Sequence, residues 1–196
     1  MSAAVSPLAA HYDAIVIGAS AGGVAALGAI LGSLPADLPV PVVIVLHLPR
    51  DRPSSISEVL DGDCALPVRE AFDKQPLLPG TVTFAPPDYH LLVESRQSLA
   101  LSVDDPVLFS RPAIDPLFES AAETFGERLL ALLLTGASSD GSQGVAAVRQ
   151  RGGSAWIQRP EDAVSPLMPA SALAHAGADA VLTLDAICKR LSEFHP

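Results

Sequence analysis

The chain has 196 residues, of which 49% are hydrophobic and 17% charged, and a formal net charge of −10. This length and apolar share exclude a disordered chain and suit one domain with a sizeable core. The acidic balance, with no basic stripe, excludes nucleic acid as a partner, and the longest apolar runs fall far below the roughly 18 residues that cross a bilayer, so no membrane insertion is expected.

Residues 1–12 are small and polar and read as an N-terminal lead; they lack the basic, apolar and small-residue succession of a secretion signal. The domain is expected over residues 13–196. Asp13–Ile17 is a β-branched run ending in glycine, the form of a buried parallel strand. Gly22–Leu34 reads as a helix rich in Ala and Leu and closed by Pro35, and Val40–His47 as a second strand. Pro53–Leu60 resembles a helix with its proline at the start. Pro67–Ala71, Thr81–Ala85, His90–Glu94 and Leu99–Val103 are short runs divided by Pro79-Gly80, Pro86-Pro87-Asp88 and Ser95–Ser98. That texture predicts β-hairpins or edge strands.

Helical pattern returns at Pro112–Phe125. Leu129–Leu134 is a buried strand, Ser142–Arg151 a helix, Ser154–Gln158 a strand, Pro169–Ala176 a helix and Ala180–Leu182 a short strand. Asp185–Phe194 closes the chain as a helix with Asp185 as its cap. Strands alternating with helices at both ends predict an α/β fold: a single domain with a mainly parallel, doubly wound sheet flanked by helices, plus an antiparallel β-hairpin addition. Cys64 and Cys188 share no motif and read as reduced thiols, which favours a cytoplasmic location.

In open α/β sheets, ligands bind beyond the carboxyl ends of the strands. Three such ends carry reactive residues. The first strand leads to Ser20, the second ends at His47, and the Leu129–Leu134 strand leads through Thr135-Gly136 to Asp140. A serine hydroxyl needs a base to take its proton, an imidazole with its ordinary pKa of about 6.5 can do so near neutral pH, and a carboxylate can hold the correct tautomer. The glycines around Ser20 permit a tight turn, and the amides that open the next helix, at Ala21 and Gly22, point toward a developing oxyanion.

Each residue also has an ordinary reading. His47 can be a structural strand-end residue, one of five histidines with His11, His90, His175 and His195, and Asp140 can cap the next helix. Gly18-x-Ser20-x-x-Gly23 is a relaxed dinucleotide fingerprint with Ser at its middle position and no acidic residue ending the second strand. Gly18-x-Ser20-x-Gly22 fits the nucleophile elbow of α/β-hydrolases, but those enzymes order their triad Ser, acid, His. Position alone leaves the triad and these readings open.

Ile17-Gly18-Ala19-Ser20-Ala21-Gly22-Gly23, Leu46-His47-Leu48-Pro49 and Leu134-Thr135-Gly136-Ala137-Ser138-Ser139-Asp140-Gly141 resemble the signature segments of the CheB-type protein-glutamate methylesterases of bacterial chemotaxis. The likeness continues through residues 83–90, Ser110-Arg111-Pro112-Ala113-Ile114-Asp115, residues 168–172 and residues 178–182, and so covers nearly the whole chain. It implies hydrolysis of glutamate methyl esters on chemoreceptors, with release of methanol, and deamidation of receptor glutamine in some members. It implies Ser20 as nucleophile, His47 as base, Asp140 as the orienting acid, and no metal or organic cofactor. Its partner would be a methylated chemoreceptor or similar signalling protein.

The chain departs from the family's pattern in three places. About a dozen residues precede the first strand where a receiver domain is usual, so a regulatory partner in trans is expected. Ala21 stands where Thr is frequent. Ala137 stands where Met is common; its amide survives as an oxyanion donor, but the pocket changes shape. Other substrate-binding residues are unassigned, and Arg111 reads as a structural anchor rather than a substrate contact. Two rival readings remain, a binding module with weakened chemistry and a nucleotide-binding α/β domain.

Overall fold

The computed structural model describes residues 11–47, 55–62 and 64–194. In chain order the elements are β1 (Ala14–Ala19), α1 (Gly23–Ser33), β2 (Val42–Leu46), α2 (Ile56–Asp61), β3 (Val68–Glu70), β4 (Val82–Phe84), β5 (His90–Ser95) and β6 (Ser98–Ser102). They continue with α3 (Ile114–Phe125), β7 (Leu129–Leu133), α4 (Ser142–Gln150), β8 (Ser154–Gln158), α5 (Leu167–Ala176), β9 (Ala180–Leu182) and α6 (Leu184–Ser192). Leu48, Pro49, Pro53 and His195 lie outside the described residues.

Seven strands form one parallel sheet in the order β3-β4-β2-β1-β7-β8-β9. A parallel sheet is covered on both faces, which is why β1, β2 and β7 are apolar at every position. Alternation along each strand sorts the side chains. Val16, Val43, Val45, Ala131 and Leu133 meet α3, α4 and α5 on one face, whereas Ile15, Ile17, Ile44, Leu130 and Leu132 meet α1, α2 and α6 on the other.

The expected α/β architecture is present, with one difference in the middle of the chain. β3 and β4 are parallel members of the main sheet, with Val82 paired to both Val68 and Val42, not arms of hairpins. Three-residue strands carry too little alternation to declare their partners, and Pro79-Gly80 closes a crossover rather than a hairpin turn. Among the described residues the hairpin is β5–β6 alone, antiparallel from His90↔Ser102 to Ser95↔Ser98. It packs Leu91, Val93 and Leu99 into the same core as Phe118 of α3. The cap of α6 is Thr183, whose Oγ1 accepts from Ala186 N at 3.3 Å; Asp185 falls inside the first turn, where its charge meets the helix's positive end.

β1 is the middle strand, and the chain builds outward from it first through β2 and later through β7. The order of construction reverses there, so the carboxyl ends of β2, β1 and β7 flank the crevice where doubly wound sheets bind ligands.

Candidate active site

Ser20 follows the last residue of β1. Its amide donates to Thr135 O at 2.9 Å, and its carbonyl accepts from Gly23 N at 2.7 Å, which closes the turn into α1. Gly22 caps α1 at φ +80°, a left-handed conformation that a side chain resists, and a Cβ there would lie 2.6 Å from Val164 Cβ. On the other side, Gly136 lets the β7 loop approach so closely that a Cβ on it would sit 3.0 Å from Ser20 Cβ and 2.6 Å from the Met168 sulfur.

His47 stands one step past the paired Ala19 and Leu46, and its amide continues the β1–β2 ladder by donating to Ala19 O at 3.1 Å. Ser20 and His47 are therefore the next residues in register on neighbouring strands. The imidazole Nε2 lies 2.7 Å from Asp140 Oδ2, with the His47 side chain 12% exposed and Asp140 fully buried.

Asp140 also accepts from Ile114 N at 2.6 Å, Asp115 N at 3.0 Å and Gly141 N at 2.9 Å. Burial pushes its carboxyl up, but the His47 hydrogen bond and the amides of Ile114 and Asp115 outweigh that and hold it below the usual carboxylate range. An ionised carboxylate only accepts, so the proton on this side belongs to Nε2 of His47. Nδ1 of the neutral ring is then the acceptor, and 3.5 Å from it lies Ser110 Oγ.

The sequence-expected residues thus divide cleanly. His47 and Asp140 are joined, Ser20 occupies the adjacent strand end, and Ala21, Gly22 and Ala137 are exposed beside them. Asp140 does cap a helix, but it caps α3 rather than the α4 that follows it.

A model of the CheB methylesterase family, described as CheB methylesterase, matches residues 15–191. The chain belongs to the CheB methylesterase family. It is 41% identical over 179 residues to a protein of Leptospira interrogans provisionally named a protein-glutamate methylesterase/protein-glutamine glutaminase, covering 91% of this chain and 93% of that one. It is 35% identical over 182 residues to the protein-glutamate methylesterase/protein-glutamine glutaminase of group 1 operon from Pseudomonas putida, covering 93% of this chain and 49% of that one. The chain therefore spans nearly all of the first relative and about half of the second. The crystal structure of the Thermotoga maritima CheB methylesterase catalytic domain superposes with a TM-score of 0.87 at 34% identity, over 93% of this chain and 98% of that one. Among the described residues no helix is long and apolar enough to cross a membrane.

Within this CheB methylesterase fold several supporting residues carry no signal of their own in the sequence. Thr135 Oγ1 donates to Ala21 O at 2.8 Å and accepts from Ser165 N at 2.8 Å, tying the Ser20 turn to the loop before α5. Gln158 Oε1 accepts from Thr135 N at 2.9 Å. Ser110 and Asp115 fall in a segment that resembles the family, but nothing in their spacing points to His47 or Asp140. Arg111 is held within the fold, though not at a helix start: its guanidinium donates to Val103 O and Asp104 O and to Asp88 Oδ1.

Proposed function

We propose that this chain is a serine esterase that hydrolyses methyl esters of glutamate side chains on a chemoreceptor or similar signalling protein, releasing methanol, and that it also deamidates glutamine side chains. The observation that carries the reading is the 2.7 Å His47–Asp140 hydrogen bond at the strand end beside the Ser20 glycine turn. The names of the relatives support the substrate class.

In this reading Ser20 Oγ attacks the ester carbonyl and its proton passes to His47 Nδ1, the nitrogen that Asp140 leaves free. Asp140 stabilises the imidazolium, and the amides of Ala21, Gly22 and Ala137 serve the developing oxyanion. The tetrahedral intermediate expels methoxide, which takes the proton from Nδ1 and leaves as methanol. Water then adds to the acyl carbon, giving its proton to Nδ1, and the bond to Ser20 Oγ breaks to return free glutamate and the serine hydroxyl. For a glutamine the leaving group is ammonia.

The test is methanol release from a methyl-esterified chemoreceptor domain by wild type and Ser20→Ala. A loss of roughly 10³-fold or more is expected, because removing a triad nucleophile leaves only binding and oxyanion stabilisation. A Ser20→Ala protein with undiminished release overturns the mechanism. Tight binding of the esterified protein with no turnover by wild type overturns the enzyme reading in favour of a binding module.

A further inference from the structure

The segment between β6 and α3 holds a turn that the hydrolytic steps do not require. Val107 N donates to Ser110 O at 3.0 Å and Ser110 N to Val107 O at 2.8 Å, closing a two-residue turn around Leu108 at φ 46° and Phe109 at φ 67°. Paired positive φ values belong to Asn-Gly and similar dipeptides, and they are strained for a leucine followed by a phenylalanine. The strain gains no burial within the fold, since Phe109 is 94% exposed and Leu108 50%. Strained backbone of this kind clusters at ligand clamps, where a partner recovers the cost.

The turn is firmly held. The Arg111 contacts to Val103 O, Asp104 O and Asp88 fix its flanks, and His90 Nε2 lies 3.1 Å from Asp105 O. Phe109 is thus presented at a set position, the arrangement of a preorganised anchor. The turn also adjoins His47: Ser110 Oγ lies 3.5 Å from its Nδ1, and on the other side Val107 and Leu108 line a cavity of about 420 Å³ with Ser139 and His175. Val164, which stands against Gly22, and Leu167 are exposed as well. Exposed apolar side chains therefore stand next to His47, by way of Ser110, and next to the Ser20 turn, by way of Gly22. With a net charge of −10, the chain offers an acidic partner no long-range attraction, and short-range apolar contact is the attraction these exposed side chains can supply.

We propose that Phe109, supported by Leu108, anchors the protein substrate: an apolar side chain of the folded protein, close to the esterified glutamate, packs on Phe109 while the ester enters at Ser20 and His47. This rests on the esterase reading above. The occupant is the substrate protein itself, and the anchor governs how well a protein, as opposed to a small ester, is used.

The test compares Phe109→Ala and Phe109→Gly with wild type on two substrates, a methyl-esterified chemoreceptor domain and a short glutamyl methyl ester peptide. Glycine suits φ 67°, so Phe109→Gly is expected to melt no lower than wild type, which separates lost contact from lost fold. On the receptor domain, kcat/KM is expected to fall roughly tenfold in both variants, with the peptide changed less than about twofold. Restored use of the receptor domain by Phe109→Trp is the expected rescue. Equal losses on both substrates, or no loss on either, overturn the proposal. So does a wild-type dimer in sedimentation that Phe109→Gly splits, because the turn would then serve a second copy of the chain. Wild type inactive on both substrates refutes the esterase reading itself, a result distinct from these.

Discussion

Asp140 and Asp115 cap each other's helices: the Asp140 carboxylate accepts from Ile114 N and Asp115 N at the start of α3, and Asp115 Oδ1 accepts from Gly144 N at 2.7 Å in the first turn of α4, the helix that follows Asp140. The exchange locks two helix N-termini together and leaves Asp140 Oδ2 aimed at His47. Each carboxylate serves amides that would otherwise be unpaired, and each meets the positive end of a helix dipole. The group that orients the imidazole is therefore set by two rigid elements rather than by its own loop.

The Asp115 carboxyl is pushed up from 3.8 to about 7, chiefly by burial, with the Gly144 amide opposing and the charge of Asp140 adding to it. A carboxyl raised on folding keeps a proton that the unfolded chain gives up. Its contribution to stability is full below pH 3.8 and is lost as the pH climbs through about 7. Asp115→Asn removes that contribution while keeping an acceptor for Gly144 N. Urea denaturation from about pH 4 to 8 is expected to show the variant gaining on wild type as pH rises, by on the order of 3 kcal/mol across the range. A constant difference between the two proteins would contradict it.

Asp140→Asn presents an NH₂ group where His47 or an α3 amide now donates. The imidazole loses its tautomer control, and a buried N–H is left unpaired. Activity on a methyl ester is expected to fall about 10³- to 10⁴-fold, and stability by about 1–3 kcal/mol, measured by methanol release and by urea denaturation of the same preparation.

The central parallel strands are legible in the sequence because the runs over Ala14–Ile17 and Leu129–Leu134 are apolar at every position, and the residues just past each run can be read directly. β3 and β4 are not legible, since Val68–Glu70 and Val82–Phe84 are too short to display a period and take their direction from the open edge of β2. The Asp115–Asp140 exchange is equally hidden. It depends on two helix starts meeting in space, and a helix-capping reading of Asp140 naturally assigns it to the helix next in sequence. Ser110 reaches His47 across 63 residues, through a strained turn that no turn-forming dipeptide announces.

Thr135 is buried beneath the Ser20 turn, bonded on both sides of its hydroxyl. Thr135→Val keeps the shape and removes both bonds, leaving Ala21 O and Ser165 N without this partner. A loss of about 2 kcal/mol is expected in thermal or urea unfolding, with kcat lowered more than KM is raised because the Ser20 turn shifts.

Arg111→Lys replaces a planar fork by a single ammonium that cannot serve Asp88 and the carbonyls of Val103 and Asp104 together. Hydrogen exchange of the amides of residues 104–110 is expected to quicken by roughly tenfold or more, as local opening becomes easier, while the amides of β1 and β2 keep their protection. Unchanged exchange in that segment would show that the fork is not what holds it.

Ser20 and His47 extend from hydrogen-bonded neighbours at the centre of the sheet, whose strands run roughly 4.8 Å apart. No breathing of the mouth can part them, because separating β1 from β2 means breaking the ladder on which the whole domain depends. The spacing of Ser20 and His47 is therefore set by the sheet itself and not by the loops around them. Substitutions in those loops can reshape the rim while the strands keep the spacing of the two residues.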